Sequence, residues 1–272
     1  MCEMKFCAEL RLPFFTVEDT NGRKFDLDAS FSLGEHSTIP KLIVKFLLSA
    51  FVLSTLIGQW ISTEYPGFYM AYLTRWTLMY HVLYMIFSSL LRYYPLQWTI
   101  KATWILFSLA SVHGIIVVLL FWFLEYDANF PLGFYTPFTH GGTFLCVLID
   151  GFLINKTPIL LKHVVVNMGF AFLYVIWSVI QGLVPVYNPF NEPTESQALY
   201  KVLDWELAPT MSAVVSLMVI FVVGPIFHIL FWGISLTCRK YLEPIQNQLL
   251  MPYMDLENEE KPEKLSQMSF AV

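Results

Sequence analysis

Charge is what this sequence has least of. Lys, Arg, Asp and Glu together make up 14% of its 272 residues, against about 25% in an average soluble domain, whose surface must meet water. That shortage excludes a soluble enzyme and a nucleic-acid binder, since neither a polar shell nor a basic patch can be built from so few charges. Cysteine is scarce as well, with four in the chain. Cys2 and Cys7 sit at the N-terminus, Cys146 lies in an apolar run and Cys238 follows one, so a secreted disulfide scaffold is excluded. A cleavable leader is also missing from the reading. The first forty residues carry charges throughout, and the first apolar run is full-length with no small-residue cleavage site. No internal repeat, low-complexity stretch, metal motif or nucleotide motif occurs, so no cofactor and no metal is expected.

What the chain does have is apolar bulk: 56% hydrophobic residues, including 24 Phe, 14 Tyr and 8 Trp, and a mean hydropathy of +0.57. A helix needs about 20 mostly apolar residues to cross a bilayer. Runs at 42–62, 70–91, 102–124, 138–155, 163–184 and 209–236 meet or approach that length. The fold class expected is therefore an all-α membrane protein, a bundle of six transmembrane helices. The fourth run is the shortest and contains Asp150.

Basic residues set the orientation. Thirteen of the sixteen fall before the first run, between the second and third, between the fourth and fifth, or after the sixth. The opposite loops hold only Lys201, while Lys45 and Arg75 lie in helix ends. Both termini are thus expected in the cytoplasm. The chain divides into a cytoplasmic N-terminal segment (1–41), a six-helix transmembrane domain (42–240) and an acidic, disordered cytoplasmic tail (241–272). Acids such as Glu64, Glu125, Asp127 and Glu206 mark the outer loops. The sequon Asn155-Lys156-Thr157 falls in a cytoplasmic loop and should carry no glycan. Cys238, beside Arg239 and Lys240, is either an ordinary thiol or a palmitoylation site.

Polar side chains inside apolar helices are costly and draw attention to function. They are Thr74, Arg75 and His81 on helix two, His113 on helix three, His140 and Asp150 on helix four, Asn167 on helix five and His228 on helix six. Helices two and four start from the same membrane face, so Thr74 and His140 sit at nearly equal depth at the outer interface. A hydroxyl beside an imidazole is the minimum set for nucleophilic catalysis. Against this, a threonine often bonds its own helix and an interfacial histidine is often half-solvated. His81, His113, Asp150 and His228 form a second, deeper polar cluster. A metal site, haem ligands or a proton relay would use such groups. The simpler reading is interhelical hydrogen bonding, with Asp150 paired to a histidine or to Asn167. Gly224-Pro225 breaks the last helix without a matching break in the first half, which argues against a transporter.

Several short motifs carry a resemblance. They are Tyr72-Leu73-Thr74-Arg75-Trp76-Thr77, His140-Gly141-Gly142-Thr143 with Asp150 ten positions after the histidine, Tyr200-Lys201-Val202-Leu203-Asp204-Trp205 and Pro225-Ile226-Phe227-His228. Over residues 42–240 the chain resembles the Rolling-stone-like multi-pass membrane proteins. These are distantly similar to the androgen-induced threonine hydrolases of fatty acid esters of hydroxy fatty acids. The hydrolase likeness implies a threonine nucleophile at Thr74 and a histidine base at His140. Pro137 stands where those hydrolases carry a second histidine. Candidate oxyanion or substrate contacts are Arg75 and the backbone at Gly141 and Gly142. Asp150 lies about 15 Å deeper than His140 on an ideal helix, so Asp127, Glu206 or a backbone carbonyl would have to orient the imidazole. The expectation is an integral membrane hydrolase of lipid esters, its partner a membrane lipid and lipid-ester substrate. The rival is a non-enzymatic Rolling-stone-like protein of cell fusion, adhesion or assembly. Plasma membrane and endoplasmic reticulum both stay open, as do protein partners.

Overall fold

Long apolar segments with few β-branched clusters or internal prolines dictate helices, and helices are what form. The computed structural model describes residues 17–18, 24–25, 39–91, 93–94, 96–126, 132–184, 188 and 196–240, with side chains as far as Thr237. The expected N-terminal segment, apart from two short strands, and the tail 241–272 lie outside the described residues, as does the side chain of Cys238. The strands β1 (Val17–Glu18) and β2 (Lys24–Phe25) form one antiparallel pair, with Val17 opposite Phe25.

Helix α1 spans Ile39–Ser62. A 3₁₀ turn at Pro66–Ala71 leads into α2, Leu73–Leu90. Helix α3, Gln97–Leu120, runs on through a π turn at Phe121–Glu125. Helix α4, Thr143–Leu148, is short and has π turns on both sides, at Phe138–Gly142 and Ile149–Ile154. Helix α5, Val164–Leu183, follows a 3₁₀ turn at Leu161–His163. Helices α6 (Pro209–Met218) and α7 (Gly224–Lys240) are joined by a π turn at Val219–Val223. Pro209 opens α6, where its missing N–H costs nothing. Pro225 cannot supply the N–H of an α-helical bond, and the widened π turn lies just before it.

Among the described residues, four continuous rods are long and apolar enough to cross a membrane: Ile39–Ser62, Gln97–Glu125, Leu161–Leu183 and Pro209–Thr237. The rod Phe138–Ile154 is apolar but shorter. Helix α2 is diluted by Thr74, Arg75, Thr77, His81, Ser88 and Ser89, and it begins at Leu73 rather than 70 because the 3₁₀ turn occupies the preceding residues.

The distribution of side chains is the reverse of a water-soluble fold. Large apolar groups such as Phe46, Ile61, Phe123, Leu153 and Phe221 are exposed, while Ser111, Thr143, Asp150, His228 and Ser212 are fully buried. A bundle whose solvent is hydrocarbon gains nothing by hiding leucine and must hide its polar groups. Helix α3 is the axis, packing on α2, α4, α5 and α7. Buried Tyr84, Phe107, Phe144, Val147 and Phe231 form the core around it. The approach of α4 to α3 depends on glycine: a Cβ on Gly151 would enter the Phe107 ring, and one on Gly114 would enter Phe144.

Candidate functional site

Tyr72 is extended (φ −88°, ψ 138°) and ends the 3₁₀ turn, so Thr74 falls in the first turn of α2. Three aromatic side chains fix that turn. The Tyr200 hydroxyl accepts the Leu73 N–H at 3.1 Å and also bonds Thr74 and Tyr174. The Tyr174 hydroxyl and the Trp177 Nε1–H both donate to the Ala71 carbonyl at 3.1 Å. Desolvation pushes the Tyr200 phenol above its ordinary pKa, so it stays a neutral hydroxyl.

His140 sits in the π turn before α4, at a non-helical φ −98°, ψ 22°. Its Nδ1 lies 2.9 Å from the Thr136 carbonyl. A carbonyl can only accept, so in the neutral ring Nδ1 carries the proton and Nε2 keeps its lone pair. That Nε2 faces the Thr74 Oγ1 at 3.4 Å, placed to accept from the threonine hydroxyl. The separation is long for a hydrogen bond but within what a general base shows before substrate binds. The imidazole is stacked on Phe121, with ring centroids 3.6 Å apart and 14° between planes. Trp122 Nε1–H donates to the His140 carbonyl at 3.0 Å.

The pair stands on the wall of a partly open cavity of about 420 Å³ lined by α2, α3, α5, α6 and the segment before α6. Most of its surface is aliphatic, from residues such as Ile116, Leu120, Val175 and Val219. Arg75 also lines it. The Arg75 guanidinium lies 4.6 Å from the Tyr69 ring centroid, and its Nη1 is buried with no hydrogen bond. Glu125 lines the cavity too; Lys201 lies beside it, and its Oε1 has no hydrogen bond.

Of the residues singled out by sequence, Thr74, His140 and Arg75 come together here. Gly141 and Gly142 do not line the cavity; Gly142 instead packs against Phe51 of α1. Gly141 has no neighbour within 4 Å of where a Cβ would stand. The ring-orienting group is the Thr136 carbonyl. Tyr200 was a marker of the resemblance without a role, and Glu125 read only as a loop acid. Neither has a local signal that points at Thr74.

The deeper polar cluster is not one cluster. His81 accepts from Thr143 at 3.0 Å and donates to the Ala110 carbonyl at 3.2 Å. His228 lies 3.1 Å from both the Leu160 and Leu161 carbonyls and accepts from Asn167 Nδ2 at 3.2 Å, which also reaches Ser108. Asp150 pairs with neither a histidine nor Asn167. Its partner is Lys45 at 3.2 Å, with further bonds from Ser88 at 3.2 Å and Asn155 at 2.6 Å. Two of the three residues of the sequon are thereby tied inward, since Asn155 binds Asp150 and Thr157 is buried. His113 alone reaches the cavity. Among the described residues no three His, Cys, Asp or Glu are placed to hold a metal ion.

No family model, curated protein or solved structure matches the chain. The fold itself, with four apolar helices of spanning length, is that of a helical protein compatible with multi-pass insertion in a membrane.

Proposed function

We propose that the protein is a six-span integral membrane hydrolase of lipid esters, with both termini cytoplasmic and its cavity near the outer or lumenal interface. The reading rests on one observation above the others: Thr74 Oγ1 lies 3.4 Å from a His140 Nε2 whose tautomer is set by the Thr136 carbonyl, on the wall of an aliphatic cavity. The sequence resemblance to threonine hydrolases of fatty acid esters of hydroxy fatty acids supports the same pair.

In this reading the ester enters sideways from the bilayer. Thr74 attacks the ester carbonyl while its proton passes to His140 Nε2. The imidazolium returns that proton to the departing alkoxide, leaving an acyl-threonine. Water then attacks the acyl group as His140 takes its proton; the acyl–Oγ1 bond breaks, the imidazolium returns the proton to Thr74 Oγ1, and the fatty acid leaves. Arg75, on the same cavity wall with its Nη1 unbonded, is a charged donor on offer to the oxyanion. The charge on Arg75 also suits a carboxylate or other acidic end of the substrate.

The test uses membranes carrying wild type or Thr74→Ala at matched abundance, supplied with a fatty acid ester of a hydroxy fatty acid. Free fatty acid released by wild type alone is the expected result. Equal release by both would remove the threonine from the chemistry.

A further inference from the structure

The cavity does not stop at the Thr74–His140 pair. It is lined along α3 from Glu125 back to His113, twelve residues earlier, and so extends about 18 Å along that helix. Between the two ends the wall is aliphatic, through Ile116, Val117 and Leu120 of α3 and Ala171 and Val175 of α5. At the far end polarity returns. His113 is 3% exposed, and its Nε2 has no hydrogen-bond partner. Ser216 of α6 is 4% exposed, and its Oγ has no partner either. Both line the cavity.

Buried polar groups are normally satisfied, above all where the surroundings are hydrocarbon. The other buried histidines on α2 and α7 obey that rule, each ring nitrogen of His81 and His228 having a partner. His113, which faces the cavity, leaves Nε2 unbonded. Nε2 of the neutral ring donates or accepts according to its tautomer, and the Ser216 hydroxyl does both.

We infer that the His113 end of the cavity is a recognition site for a hydroxyl group carried partway along a lipid chain, the one group that can both donate to and accept from His113 Nε2. A ketone or ester oxygen can only accept, and a carboxylate would be buried there without a cation, so an alcohol fits best. The inference rests on the proposed entry of lipid into this cavity but not on cleavage at Thr74.

The full chain with Thr74→Ala, which prevents any ester from being consumed, is offered methyl ricinoleate and methyl oleate together at equal concentration in detergent. The two differ by one mid-chain hydroxyl. Bound ester is counted by native mass spectrometry. The hydroxylated ester should exceed the other by about two- to tenfold, the range of one net hydrogen bond. His113→Phe should bring the ratio to near one while methyl oleate still binds as before, which shows the cavity intact. Ser216→Ala should lower the ratio by less. Equal occupancy by the two esters, or a preference that survives His113→Phe, would overturn the inference. Either result leaves the hydrolase reading to its own assay, because a preference without turnover condemns Thr74 chemistry alone and turnover without a preference condemns the hydroxyl site alone.

Discussion

Asp150 and Arg75 are both charged residues on apolar helices, at opposite ends of the bundle, and their surroundings differ in kind. Asp150 is fully buried and bonded to Lys45, Ser88 and Asn155, with Lys45 only 12% exposed. Arg75 faces an aromatic ring, keeps a buried nitrogen unbonded and borders a cavity whose wall also holds the unbonded Oε1 of Glu125. A polar residue in hydrocarbon is expected to be functional by default, yet the ion-pair end shows that completed bonding converts such a residue into a fastener between helices. The distinction lies in what is left unpaired beside empty space.

If that contrast is right, substitutions should sort cleanly by end. The largest effect is expected at the cavity. His140→Ala should lower ester turnover by about 10⁴-fold, or ~5.5 kcal/mol of barrier, and Thr74→Ala combined with it should cost little more, because the two act as a unit. Thermal stability in detergent should hardly move. Additive losses would mean that the two groups do not work together. At the other end the expectation reverses. Lys45→Met strands a fully buried carboxylate and should destabilise by about 3–5 kcal/mol with turnover per folded molecule unchanged. Adding Asp150→Leu should recover most of the loss, since two apolar groups replace a desolvated pair. An unchanged melting temperature for Lys45→Met would remove the ion pair as a fastener.

How much of this was written in the chain depends on the range of the interaction. The all-helical character followed from apolar runs, four of which form helices of spanning length among the described residues. Ends differ by up to five residues, as at Gln97 against 102, because caps and 3₁₀ or π turns are chosen by packing and not by hydropathy. Thr74 and His140 could be set at equal depth from helix counting, and the structure adds what counting lacks, the contact between α2 and α4. Lys45 and Asp150 are 105 residues apart, and no local pattern joins them. The same holds for Tyr200, which closes on Leu73 across 127 residues. His113 was grouped with His81 and His228 by depth. Only the side-chain directions separate it, and direction around a helix that is buried on most sides leaves little trace in hydropathy.

The finest test of the comparison sets one hydrogen-bonding side chain at each end against the other. Trp122→Phe removes the donor to the His140 carbonyl but keeps an aromatic ring, so the π turn loses a support while Thr136 still holds Nδ1. Ser88→Ala removes a hydroxyl that donates to Asp150 and accepts from Lys45. A neutral hydrogen bond is worth about 0.5–1.5 kcal/mol net and one to a charge more, so the Ser88 change is the larger of the two in stability and the two differ in place. Trp122→Phe should lower kcat by about two- to tenfold with KM and the melting temperature nearly unchanged. The reason is positional: His140 is non-helical, and freeing its carbonyl lets the imidazole drift from a Thr74 hydroxyl that is already at 3.4 Å. Ser88→Ala should lower the melting temperature and leave kcat alone. Equal shifts in melting temperature with kcat untouched in both would mean that the His140 end is a fastener too, and the distinction between the ends would collapse.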